Sequence, residues 1–201
     1  MTASDKSWEK FLHPETLKSN LIAISLFITA FEIFKDRIIE KPEIFFTNGF
    51  NEKEAIIDEQ YKTEVLTLSK SKLYASLLWL AKMQAIEPAD IAVFDSIRQH
   101  RNEVAHEPIE FLANSQRNFD VSKFQELIAL LAKIEKWWFV NFEFSIDPDM
   151  LPDGANPDDV LPSPIWSLQL MLDIALNNEP EEGYYYNAFK QAKPKTSSDQ
   201  N

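Results

Sequence analysis

Cysteine is absent from this chain. Disulfides, thiolate zinc sites and cysteine nucleophiles are therefore excluded. Glycine occurs only 3 times in 201 residues. Such scarcity argues against a glycine-rich phosphate loop and against a turn-rich β fold. The three histidines (His13, His100 and His106) are too scattered to form a metal-ligand cluster. No paired Asp/Glu motif supports magnesium, so no metal and no cofactor is expected. Long apolar runs are missing too. The longest, Leu21 to Phe31, is eleven residues with Ser25 and Thr29 inside it. A membrane span needs about twenty, so this run reads as a core helix. Met1 to Pro14 lacks a signal-peptide pattern. The expectation is a soluble cytoplasmic protein without a membrane partner.

The material for a core is present. Apolar residues make up 45% of the chain and aromatics 12%, enough for one domain at this length. Leu17, Leu21, Ile24, Ile28, Phe31, Phe34 and Ile38 recur at three- and four-residue steps, which predicts a helix from Pro14 to about Ile39. Pro42 and the Thr47-Asn48-Gly49 turn are expected to end that segment. Glu52 to Leu68 is less regular, with helix favoured. Ser71 to Met83 reads as a helix with Leu73, Leu77, Trp79 and Leu80 inward. Pro88 opens another, with Ile91, Phe94, Ile97, Arg101 and Val104 along one stripe and Pro108 as its stop. Asp120 or Ser122 caps a long helix to about Phe144, with Phe124, Leu127, Ile128, Leu131, Ile134 and Trp138 at core spacing. Residues 147–164 hold Pro148, Pro152, Pro157, Pro162 and Pro164 among five acids and read as a loop. Ser163-Pro164 starts a last helix to about Asn177. The predicted class is all-α, with no sustained β alternation and no internal repeat. A core over about 15–145 would be followed by an acidic loop at 146–163, a helix at 164–178 and a polar tail at 179–201.

Charge is uneven. The net charge is −12. Residues 1–140 carry 17 basic and 21 acidic side chains; residues 141–189 carry ten acidic and none basic. The acidic stretch reads as a solvated, solubilising face, and it disfavours broad, sequence-blind binding of nucleic acid. A local basic cleft still suffices for an enzyme that meets only a few nucleotides.

One stretch pairs groups able to do chemistry. Arg101-Asn102-Glu103-Val104-Ala105-His106 brings an always-charged guanidinium near an imidazole that can move protons at neutral pH. On one straight helix the two are about 140° apart around the axis and about 7.5 Å apart along it. A single helix therefore cannot readily close both on one phosphate, and a two-fold dimer of helix ends is the simplest remedy. Arg98 and His100 add local positive charge and stand as candidate RNA-binding residues. Trp138 fits the core stripe. Tyr184-Tyr185-Tyr186, beside Glu179, Glu181 and Glu182, suits docking onto the bundle or a partner better than base stacking.

Arg-Asn-x-x-x-His near the end of an amphipathic helix, before a helix breaker, resembles the signature of the HEPN superfamily. The match runs from Ser96 to Pro108, and the all-helical pattern extends it loosely over about 140 residues. The resemblance implies an all-α antiparallel bundle of the HEPN type over residues 1–178 and a homodimer with a composite site. It further implies a metal-independent endoribonuclease of a toxin–antitoxin or phage-defence system. Arg101 and His106 would be catalytic, with Asn102 orienting the imidazole or the phosphate and Glu103 holding Arg101 or setting the His106 tautomer. RNA would be the substrate, and a cognate antitoxin or regulatory protein a further partner. Pro108 stands where some HEPN toxins carry a tyrosine that a partner nucleotidyltransferase modifies, so that route of regulation is not expected. Non-catalytic members, such as the mannitol-operon repressor group, offer the alternative of a regulatory or protein-interaction module. A third possibility is an acidic antitoxin-like protein whose 141–189 region contacts a basic partner.

Overall fold

A computed structural model describes residues 1–151, 154–156 and 159–192. The chain is mostly helical, in keeping with the all-α expectation. Its helices are α1 (Ala3–Leu12), α2 (Pro14–Phe45), α3 (Lys72–Lys82), α4 (Pro88–His106), α5 (Pro108–Ala113), α6 (Val121–Trp138), α7 (Phe144–Ile146), α8 (Ser163–Ala175) and α9 (Tyr184–Ala192). α2 packs against α1, α3, α4, α5, α6 and α8, and α4 packs against α6.

The core follows from α2. Its Phe27, Ala30, Phe31, Phe34 and Ile38 are buried, and Phe31 and Phe34 both stack on Phe94 of α4. Trp79 and Leu80 from α3 and Leu127, Leu131 and Ile134 from α6 complete this cluster. Burying each large apolar side chain contributes roughly 1.5–3 kcal/mol, which is why the stripe orders the helix. Leu21, expected on that stripe, is instead exposed. By length and composition alone α2 could cross a membrane; its Ile24–Ile38 stripe is covered by neighbouring helices.

Four expectations need correction. α2 runs through Pro42 to Phe45. A proline so near the C-terminus removes one N–H from the ladder, while the Phe46 N–H still reaches the Pro42 carbonyl at 3.1 Å. Buried Pro42 and the tilted contact of Phe45 with Trp79, 5.1 Å between ring centres, hold the last turn in place. The second difference lies at 52–68. There β1 (Thr47–Phe50) pairs antiparallel with β2 (Ala55–Ile57). The Asn51 side chain accepts the N–H groups of Lys53 and Glu54 and so builds the turn from side-chain bonds rather than a helix. One wide helical turn, Lys62–Leu66, then follows, pinned by buried Tyr61 and Val65. Third, Thr47-Asn48-Gly49, expected as a turn, belongs to β1; ahead of α2 the first residues form α1, where Thr2 and Asp5 make a reciprocal capping box. Fourth, part of the expected polar tail is α9, tied back by the Tyr185 hydroxyl donating to Asp173 at 2.8 Å.

The expected acidic loop is described in part. It holds a short turn at Pro148–Met150; Pro152 and Pro157 lie outside the described residues, as does 193–201 of the tail.

Candidate functional site

α4 is a well-defined platform. Pro88 occupies its first turn, and the Glu87 N–H donates to Asp90 at 2.8 Å. Lys133 of α6 also reaches Asp90, at 2.6 Å. The far end is held by a second, smaller apolar cluster of Ile24, Val104, Phe111 and Leu112. Val104 lies inside the motif and is fully buried, so the backbone carrying Arg101 and His106 is anchored from below. Glu107, just before Pro108, leaves helical angles (φ −126°, ψ 45°) and separates α4 from α5.

Arg101 leans toward α2. Its Nη2 donates to Glu32 Oε1 at 2.7 Å, and its guanidinium carbon lies 5.3 Å from the centre of the Phe31 ring. Nη1 makes a long contact with Asn102 Oδ1 at 3.5 Å. Nε is buried, and no acceptor reaches it among the described residues. Glu32 is gripped from its other oxygen by Lys35, one turn along α2. The Lys35 ammonium and the Arg101 guanidinium together hold the Glu32 carboxyl below the usual carboxylate range.

His106 is exposed at the last position of α4. No hydrogen bond or ion pair engages its ring among the described residues. The single helix keeps Arg101 and His106 on different faces, as their spacing requires.

The neighbouring residues divide by environment. His100 is packed rather than open, with Phe27, Phe111 and Phe119 at 5.5, 5.7 and 5.3 Å between ring centres. Its Nε2 accepts the Asp120 N–H at 3.3 Å, which leaves the proton on Nδ1. Burial pushes its pKa below the ordinary histidine value, against the pull of Asp120. Arg98 is exposed and lies over the Tyr74 ring at 5.2 Å, while the Tyr74 hydroxyl donates to Asp95. Glu103 takes neither Arg101 nor His106. It accepts from Gln99 at 3.1 Å and from Arg117 at 3.4 Å, and Arg117 also pairs with Glu107.

Asp95, Arg98, Gln99, Asn102 and Glu103 line an open polar groove of about 380 Å³ along α4. Arg98, Asn102 and Glu103 thus share one edge, Arg101 faces α2 and His106 stands at the tip. Glu32 and Lys35 escaped sequence reading. Their i,i+3 spacing marks a local pair, but nothing local ties them to a residue 69 positions away. Among the described residues no group of three or more His, Cys, Asp or Glu side chains is placed to hold a metal ion. No family model matches the chain, and no curated protein or solved structure matches it either.

Proposed function

We propose that the chain is a metal-independent endoribonuclease of the HEPN type, cytoplasmic and homodimeric, of a toxin–antitoxin or phage-defence system. The observation that carries this reading is the free, exposed His106 ring at the tip of the helix that also holds Arg101. In the proposed reaction His106 of one copy removes the proton of a ribose 2′-hydroxyl. The 2′-oxygen attacks the adjacent phosphorus, and the bond to the 5′-oxygen breaks. Arg101 of the other copy neutralises the charge gathering on the phosphoryl oxygens. The leaving 5′-oxygen takes a proton from water, the proton held by His106 returns to solvent, and a 2′,3′-cyclic phosphate remains. Asn102, touching Arg101 Nη1, steadies the guanidinium. Arg98, on the groove edge, would meet a neighbouring phosphate. The packed position of His100 suits holding the chain at Asp120 better than touching RNA.

A second reading is favoured by a specific observation. The shortest contact of Arg101 is to Glu32 of its own bundle, and Glu103, Glu107 and Glu110 crowd the end of α4. This would suit a non-catalytic HEPN-like regulatory or interaction module, with a cognate antitoxin or regulatory protein as partner.

Cleavage of single-stranded RNA, with the new ends mapped, separates the two. His106→Ala and Arg101→Ala should each lower the rate about 10²–10⁴-fold. Mixing the two dead variants should restore about a quarter of wild-type activity, because half of the exchanged dimers are mixed and each carries one intact composite site. No cleavage by wild type leaves the interaction module; cleavage that survives both substitutions removes the enzyme assignment from these residues.

A further inference from the structure

We propose that Lys35 and Arg101 form a two-cation clamp for one phosphodiester, and that Glu32 is the internal anion that occupies it until nucleic acid binds. The inference rests on the ribonuclease reading for the identity of the ligand. It adds Lys35 to the phosphate-contacting residues and assigns a regulatory role to Glu32.

The geometry is that of a ligand held between two donors. Glu32 Oε1 takes Arg101 Nη2 at 2.7 Å, and Oε2 takes Lys35 Nζ. A carboxylate spanning a guanidinium and an ammonium presents two oxygens much as a phosphodiester presents its two non-bridging oxygens. The three side chains remain in reach of solvent, with exposures of 27% for Arg101, 38% for Glu32 and 36% for Lys35. The guanidinium is fixed by other means, since Phe31 lies beneath it and buried Val104 anchors its helix. Departure of Glu32 would therefore leave Arg101 largely in place. Nor is Arg101 saturated, because its Nε lacks an acceptor among the described residues and its Nη1 contact is long. Among the described residues the other acid near Lys35, Asp36, is 3.9 Å away and mostly exposed, too weakly placed to hold the ammonium.

The exchange costs little free energy. An exposed ion pair contributes little net stability, since both partners are well hydrated when apart. RNA brings a gain that Glu32 lacks, the release of counterions from its backbone. The internal carboxylate thus sets a threshold. It shields two cations from isolated anions and yields to a polyanion.

The test uses a short single-stranded RNA with every ribose 2′-O-methylated, which binds but cannot be attacked. Affinity is read by fluorescence anisotropy on the full chain, with circular dichroism to check the fold. Glu32→Gln keeps the shape of the side chain and removes its charge, and should tighten binding about three- to tenfold, the scale set by exposed ion pairs. Lys35→Ala and Arg101→Ala should each weaken it. The gain from Glu32→Gln should vanish in the Arg101→Ala background. Glu40→Gln, which removes an equal charge farther along α2, should tighten binding far less. Equal gains from Glu40→Gln and Glu32→Gln would reduce the effect to general charge and overturn the clamp. Unchanged or weaker binding by a folded Glu32→Gln variant overturns it as well. Wild-type cleavage of unmodified RNA, scored separately, keeps the two ideas apart. A tighter Glu32→Gln variant without any cleavage leaves the clamp standing and removes the nuclease.

Discussion

Two carboxylates in this molecule are each gripped by one lysine and one arginine, and the two sites behave differently because one is covered. Glu135 of α6 accepts from Arg37 at 2.9 Å and from Lys41 at 2.8 Å, both on α2. Glu32 of α2 accepts from Arg101 and Lys35. The ingredients match. Yet Lys41 is 0% exposed, Glu135 is 3% exposed, and the Lys41 ammonium lies 4.9 Å from the centre of the Trp138 ring. Burial pulls the Lys41 pKa down, with Glu135 opposing it. In the covered site neither partner can be removed without stranding a charge away from water. In the open site water takes over as soon as the partner leaves. The first is a pin between α2 and α6, and the second is an exchangeable contact. Burial, rather than the residue types, decides which.

The comparison can be broken at its strongest point first. Glu135→Gln should cost about 3–5 kcal/mol by urea denaturation, because buried Lys41 loses its counter-charge and must either hold an unpaired charge or give up its proton. The double variant Lys41→Met with Glu135→Leu should recover most of that loss. A cost below about 1 kcal/mol for the single change would show that the network is hydrated, and the contrast would collapse.

The same contrast separates the two motif imidazoles, and pH sharpens it. His100 is half-buried among aromatic rings, and its pKa is lowered chiefly by burial. The unfolded chain then binds the proton more readily than the folded one, so stability falls as pH drops below about 6.5, the unperturbed value. His100→Gln keeps an acceptor for the Asp120 N–H and cannot charge. Its stability should decline less between pH 7 and pH 5 than that of wild type, as measured by thermal melts. Parallel curves would mean that His100 is not held neutral by its aromatic neighbours.

The smallest effect belongs to the open site. Glu32→Gln should change stability by less than about 1 kcal/mol. A loss comparable to that of Glu135→Gln would make Glu32 a second pin and withdraw the grounds for exchange.

Much of the fold was legible beforehand, for reasons visible in individual residues. Phe31, Phe34 and Ile38 recur at helical spacing because a helix must bury one stripe, and Pro88 and Pro108 bound α4 where proline can begin but not continue a helix. Reading failed where a local rule met a tertiary partner. Pro42 reads as a stop, but aromatic packing around Phe45 carries the helix past it. Asn51 builds a hairpin turn in a segment whose composition tolerates helix. The segment from 179 reads as a polar tail, but α9 forms within it and Tyr185, from the aromatic run read as a docking element, reaches Asp173. The placement of Arg101 and His106 on one helix was legible from their spacing. The partner of Arg101 was not, since Glu32 lies 69 residues away and belongs to a stripe edge that reads as solvated.

By itself the sequence determined where the long core helices form, most of the side chains that line their apolar stripes, and that a guanidinium and an imidazole share α4. These depend on periodicity and on backbone chemistry within a few residues. Only the tertiary structure decided that Lys41 is sealed under Trp138 while Lys35 stays wet, that Glu32 rather than Glu103 meets Arg101, and that His100 is half-buried while His106 is open. The worth of a charge is set by how much water its surroundings exclude, and those surroundings come from segments far apart along the chain.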